Sequence, residues 1–134
     1  MCIRDSFSRR KWANLNPNLN IQVSHEELEK INSHGDVLSI ADVRQVYEPL
    51  VAYIGIMFEQ SKKAEKSKAD FLKQAMTKRP FIIGISGSVS VGKSTTSRLL
   101  RLLLQRTYPD LKIQRMTTDG FLSVSYTHLR AHET

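Results

Sequence analysis

A single cysteine, Cys2, is all the thiol this 134-residue chain carries. No internal disulfide can staple it, so the disulfide-rich secreted scaffolds are excluded. No run approaches the roughly 18 apolar residues of a membrane span, and the first residues lack the apolar segment of a signal peptide. These absences predict a cytoplasmic protein without a membrane role. Internal repeats and low-complexity tracts are also missing. Aromatic residues make up only 7%, and none interleaves with basic residues in the pattern that stacks on nucleic-acid bases. The formal net charge of +7 would otherwise suggest a polyanionic partner. Much of the excess lies between Lys62 and Arg79, interspersed with Glu65 and Asp70, as a solvated helix face would be. No nucleic-acid partner is therefore expected.

What the chain does have is centred on Phe81-Ile-Ile-Gly-Ile-Ser-Gly-Ser-Val-Ser-Val-Gly-Lys-Ser-Thr-Thr96. Phe81 to Ile85 is a continuous apolar run of the kind a fully buried strand shows. Gly87, Ser88, Val89, Ser90, Val91, Gly92, Lys93 and Ser94 then complete the P-loop (Walker A) pattern. Helical spacing follows at Leu99, Leu100, Leu103 and Leu104. Such a loop wraps a polyphosphate in backbone N–H groups, so Gly87 and Gly92 keep side chains out of the way. The helix N-terminus adds partial positive charge. Lys93 can reach the β- and γ-phosphates, and the Ser94 hydroxyl can ligate Mg²⁺. A nucleoside-triphosphate site is the reading, with Thr95 included in the cradle.

Upstream, Phe7 and Trp12 read as packing anchors. Ser24 and Glu27 form a capping box for a short helix with Leu28 and Ile31 on its inner edge, ended by Gly35. Ser39 caps a longer amphipathic helix through Val43, Val46, Tyr47, Leu50, Ile54 and Phe58. Pro49 predicts a kink, or two helices meeting, near Tyr47. Gln60 to Arg79 reads as a further helix whose inner face is Phe71, Leu72, Ala75 and Met76, stopped by Pro80. Past the P-loop helix, Leu111 to Thr117 alternates as a second strand. Asp119 follows that strand, where open α/β sheets bind ligands. From position alone it is either a proton acceptor or Mg²⁺-water ligand, or a turn residue in Asp119-Gly120.

Gly87 to Thr96, Arg98, Thr117-Thr-Asp-Gly-Phe-Leu122 and the leader around Phe7–Trp12, Leu38-Ser39 and Val43–Leu50 together resemble the bacterial type I pantothenate kinases. The resemblance implies a P-loop kinase fold: an α/β parallel sheet, here only its first β-loop-α-β unit, preceded by a helical N-terminal region. It implies ATP- and Mg²⁺-dependent phosphorylation of pantothenate, feedback inhibition by coenzyme A, and a homodimer for the full-length family. By position, Lys93 and Asp119 become catalytic, Asp119 as the base beside the pantothenate hydroxyl, and Arg98 an inhibitor contact. Uridine kinases and phosphoribulokinases are the neighbouring alternatives, and a non-catalytic nucleotide-binding module is another.

The resemblance ends after Leu122. Ser123 to Thr134 and Met1 to Ser6 do not follow the family pattern, and both read as non-native ends. The expected organisation is thus a leader at 1–6, a helical region at 7–79, the start of a kinase core at 80–122 and a tail at 123–134. About forty residues follow Ser94, room for one helix, one strand and a tail. An N-terminal fragment lacking most of the acceptor pocket, with little or no kinase activity, is the expectation.

Overall fold

The computed structural model describes residues 5–32, 38–76, 79–86, 93–116 and 121–126, with Val124 the one side chain described in the last stretch. Helix α1 (Arg9–Asn14) is six residues long, too short to persist alone. The Ser8 hydroxyl caps it, accepting from the Lys11 amide at 3.2 Å. Trp12 anchors it by donating its indole N–H to the Val46 carbonyl at 2.9 Å. Phe7 packs on the Trp12 ring but stays half exposed. Helix α2 (His25–Ile31) has the expected capping box between Ser24 and Glu27, and it buries Leu28 and Ile31. Gly35 lies outside the described residues.

Ser39 and Asp42 form a second capping box at α3 (Ile40–Asp42). The backbone then widens into a π-helical turn, Val43–Tyr47, before the 25-residue helix α4 (Glu48–Leu72). The expected junction at Tyr47 is there. Pro49 has no N–H to give the preceding turn, so it sits in the first turn of α4 rather than inside a helix. Side chains from the leader serve the loosened turn: Trp12 bonds the Val46 carbonyl, and the Asn16 amide bonds that of Arg44 at 2.8 Å.

Helix α4 ends at Leu72, with Lys73 in the left-handed conformation, so the helix expected to reach Arg79 stops early. Its expected inner face is also corrected. Phe71, Leu72 and Met76 are exposed, because α4 buries nothing past Phe58 and runs on beyond the core. The charged segment is the solvated face expected at Lys66 and Asp70, but not at Lys62, whose side chain is 12% exposed, lies over the Phe58 ring and donates to the Arg79 carbonyl at 2.8 Å.

Strands β1 (Phe81–Gly84), β2 (Leu111–Met116) and β3 (Phe121–Tyr126) form one sheet in the order β1-β3-β2. β3 is antiparallel to both neighbours, so β1 and β2 run in the same direction without touching. The purely parallel sheet is therefore corrected: the strands of the β-loop-α-β unit have the parallel sense, but an antiparallel strand separates them. Helix α5 (Lys93–Thr107) crosses one face and buries Leu99, Leu100, Leu103 and Leu104. Leu111 and Ile113 face it, and so does Val124 of β3. β1 alternates half-buried and exposed, with Ile82 51% exposed. The fully buried strand expected from its apolar run is thus corrected, since among the described residues α5 covers one face and nothing covers the other. Val51, Ile54 and Phe58 of α4 join the same core. Phe58 meets Phe81 edge-on at 5.6 Å and ties α4 to β1.

Candidate nucleotide-binding site

The sheet register sets level the ends of the two strands that precede the expected chemistry in the sequence. Gly84 pairs with Phe121, and so does Met116. The carboxyl ends of β1 and β2 therefore lie level, one strand apart, separated by two inter-strand spacings, about 10 Å. The described chain thus breaks off from β1 and from β2 at the same edge of the sheet. Gly87, Ser88, Val89, Ser90, Val91, Gly92 and Asp119 all lie outside the described residues.

Lys93 and Ser94 open α5 as expected. Lys93 is half buried, Ser94 is exposed, and Thr95 is buried at 3% exposure. The first turn of α5 contains no acidic residue, unlike those of α2 and α3. It presents a cation, a solvent-facing hydroxyl and the positive end of a 15-residue helix. A triphosphate and a divalent cation fit that donor set: Lys93 for the anion, the Ser94 hydroxyl for the metal.

Three contacts that the sequence did not reveal hold this turn. The Tyr47 hydroxyl, at the end of the π-helical turn, lies 3.2 Å from the Thr96 hydroxyl. Ser97, 1% exposed, donates its hydroxyl to the Ser94 carbonyl at 2.9 Å. Arg115 Nε donates to that same Ser97 hydroxyl at 2.7 Å. A chain of hydrogen bonds thus links the end of β2 to the residue after the P-loop lysine. One signal was available: Arg115 occupies an inward position in the alternation Leu111, Ile113, Arg115, where an apolar residue is ordinary. Arg98 is exposed and donates to the Ile31 carbonyl at 3.3 Å, joining α5 to α2. Among the described residues no cluster of histidine, cysteine and carboxylate side chains could hold a metal, and no helix is long and apolar enough to cross a membrane.

A strand, a glycine-bounded loop of P-loop sequence and a helix opened by Lys93-Ser94 follow one another in the order found in P-loop nucleotide-binding proteins. No protein-family model matches the chain. It is homologous, however, to bacterial pantothenate kinases. Over 118 residues it is 48% identical to the pantothenate kinase of Streptococcus thermophilus, 47% to that of Streptococcus mutans and 46% to that of Streptococcus gordonii. Each match takes in 88% of this chain, and the chain spans 39% of the length of these relatives.

Proposed function

We propose that this chain is the nucleotide-binding portion of an ATP-dependent pantothenate kinase, an enzyme of coenzyme A biosynthesis. The observation that carries this is the 48% identity over 118 residues to pantothenate kinases, in a chain whose strand and helix flank a P-loop sequence. Gly87 to Ser94, with Thr95, cradle ATP. Lys93 neutralises charge developing on the transferred phosphoryl, and Ser94 ligates Mg²⁺. Asp119, on the link between β2 and β3, accepts the proton of the pantothenate hydroxyl. Arg98 contacts coenzyme A as feedback inhibitor, and the full-length protein is a homodimer. The segments 1–6 and 123–134 are extraneous to the kinase, and the chain binds nucleotide without turning pantothenate over.

Calorimetric titration with Mg·ATP tests the binding. The parent should bind, and Lys93→Ala should bind much more weakly with unchanged circular dichroism. Retained affinity in that variant refutes the P-loop assignment. Family-like phosphorylation of pantothenate by these 134 residues would refute the assignment as a portion without turnover, and preference of the whole gene's product for uridine would refute the acceptor.

A further inference from the structure

Arg115 carries its charge where a charge is not wanted. It is half buried in the inward row Leu111, Ile113, Arg115 of β2, and it meets α5 near that helix's positive end. It makes no ion pair among the described residues. An apolar side chain would fill the same position without desolvating a guanidinium. What the arginine adds is a directed donor. Its Nε donates to the Ser97 hydroxyl at 2.7 Å, and that hydroxyl donates to the Ser94 carbonyl at 2.9 Å. A serine hydroxyl has one proton on a rotor. Accepting from Arg115 on one side leaves that proton to Ser94 on the other. Ser97 is 1% exposed, so water has little access to disturb the arrangement. The Ser94 hydroxyl itself is exposed and bonds none of the described residues, so its aim depends on its backbone.

We propose that Arg115 is a positioning residue for the divalent cation of the nucleotide site: through Ser97 it fixes the peptide group of Ser94 and so holds the Ser94 hydroxyl towards the metal. The inference rests on the reading of Gly87 to Ser94 as a site for Mg·ATP. The peptide is planar and each residue has only two soft backbone torsions, so a carbonyl held at Ser94 restricts where its Cβ and hydroxyl point. The bond from Arg115 is charge-assisted, which makes it stronger than the link between two neutral groups that follows it. Arg115 is also the last inward residue of β2, the strand that leads to Asp119. One guanidinium thus ties the metal ligand to the strand that precedes the proposed base.

The test is calorimetric titration of the 134-residue chain with ATP, once in Mg²⁺ and once in EDTA, so that the ratio of the two affinities reads the metal alone. Arg115→Met keeps most of the volume and drops the donor. Ser97→Ala removes one oxygen from a helix and breaks the same chain of bonds, so the test stands even if Arg115→Met unfolds; circular dichroism checks both. Groups that orient a metal ligand typically contribute about 10–100-fold to metal affinity. Each variant should therefore lower the gain in affinity from Mg²⁺ by about tenfold, while affinity in EDTA stays that of the parent. The double variant should lose no more than either single, because both act through one path. Equal losses with and without Mg²⁺ would mark a merely structural role and overturn the proposal. An unchanged response to Mg²⁺ in both variants overturns it too, and so do losses that add in the double variant. A parent whose affinity for ATP is indifferent to Mg²⁺ instead overturns the metal reading of the P-loop, and this inference with it.

Discussion

Glu48 is fully buried, and replacing it with glutamine should unfold this protein more readily than almost any other one-atom change. One carboxylate oxygen accepts from the Asn16 amide at 2.9 Å. The other accepts from the Ile21 backbone N–H at 2.9 Å and from the Arg44 guanidinium. A glutamine can keep only one accepting oxygen. Keeping it towards Ile21 and Arg44 turns its NH₂ against the Asn16 NH₂. Asn16 cannot flip to help, because its NH₂ also serves the Arg44 carbonyl and its oxygen accepts from the Asn18 amide. One hydrogen bond to a charged group is lost, worth about 1.5–3 kcal/mol, and Arg44 loses its counter-charge. Arg44 is 36% exposed, so water relieves part of the roughly 3–5 kcal/mol typical of a broken buried pair. The total comes to about 3 kcal/mol, or a melting temperature lower by about 10 °C for a chain of this length. Urea denaturation followed by circular dichroism and by fluorescence of Trp12, the only tryptophan, measures it. Asn16→Ala removes the opposed donor, so the double variant should be less unstable than the sum of the singles. A Glu48→Gln protein within about 0.5 kcal/mol of the parent would refute this account.

The Glu27 carboxyl is held at about 2, below its ordinary 4.5, first by the Arg106 guanidinium and then by the Ser24 amide. Because the folded value is the depressed one, its contribution is complete above about pH 4.5 and is lost as pH falls towards 2. Stability should fall across that window, and Arg106→Ala should flatten the fall. Asp42, lowered by the Ser39 amide and Arg9, keeps a residual slope in that variant. A methyl added at Gly55 would lie 1.9 Å from the Tyr108 hydroxyl oxygen and 3.0 Å from the ring carbon bearing it. Alanine gains about 1 kcal/mol of helix propensity, but overpacking costs about 1–3 kcal/mol, and a contact this short belongs at the upper end. Gly55→Ala should therefore destabilise by about 2 kcal/mol in thermal melts, and Tyr108→Ala in the same chain should remove the penalty.

Features set by neighbours along the chain could be read from the sequence. Both serine caps, the break before Pro49 and the helix opened by Lys93 all depend on a few adjacent residues, and all are found. Partner choice was less accessible. Phe71 and Leu72 have the spacing of a buried face, yet none of the described residues packs there, and spacing carries no information about what lies opposite. Phe121 to Tyr126 follows a motif that drew attention to chemistry, and its role as the middle strand depends on partners ten and forty residues away. At the site, the P-loop pattern and Lys93-Ser94 could be read directly. The Arg115–Ser97–Ser94 relay could not, because it joins a strand and a helix through side chains that no local pattern pairs.

The middle position of β3 also sets an order of events during synthesis. β1 emerges early and, among the described residues, pairs only with a strand that ends at Tyr126. Until that strand arrives, β1 and β2 stand parallel with a one-strand gap between them, and β1 has both edges open. Ile82 meanwhile lies on a face that nothing covers among the described residues. The helices can collapse around Val51 and Leu28 without waiting, since their contacts are already present. A chain stalled before residue 121 would thus hold a formed helical half beside two unsatisfied strand edges, the state from which edge-to-edge association starts.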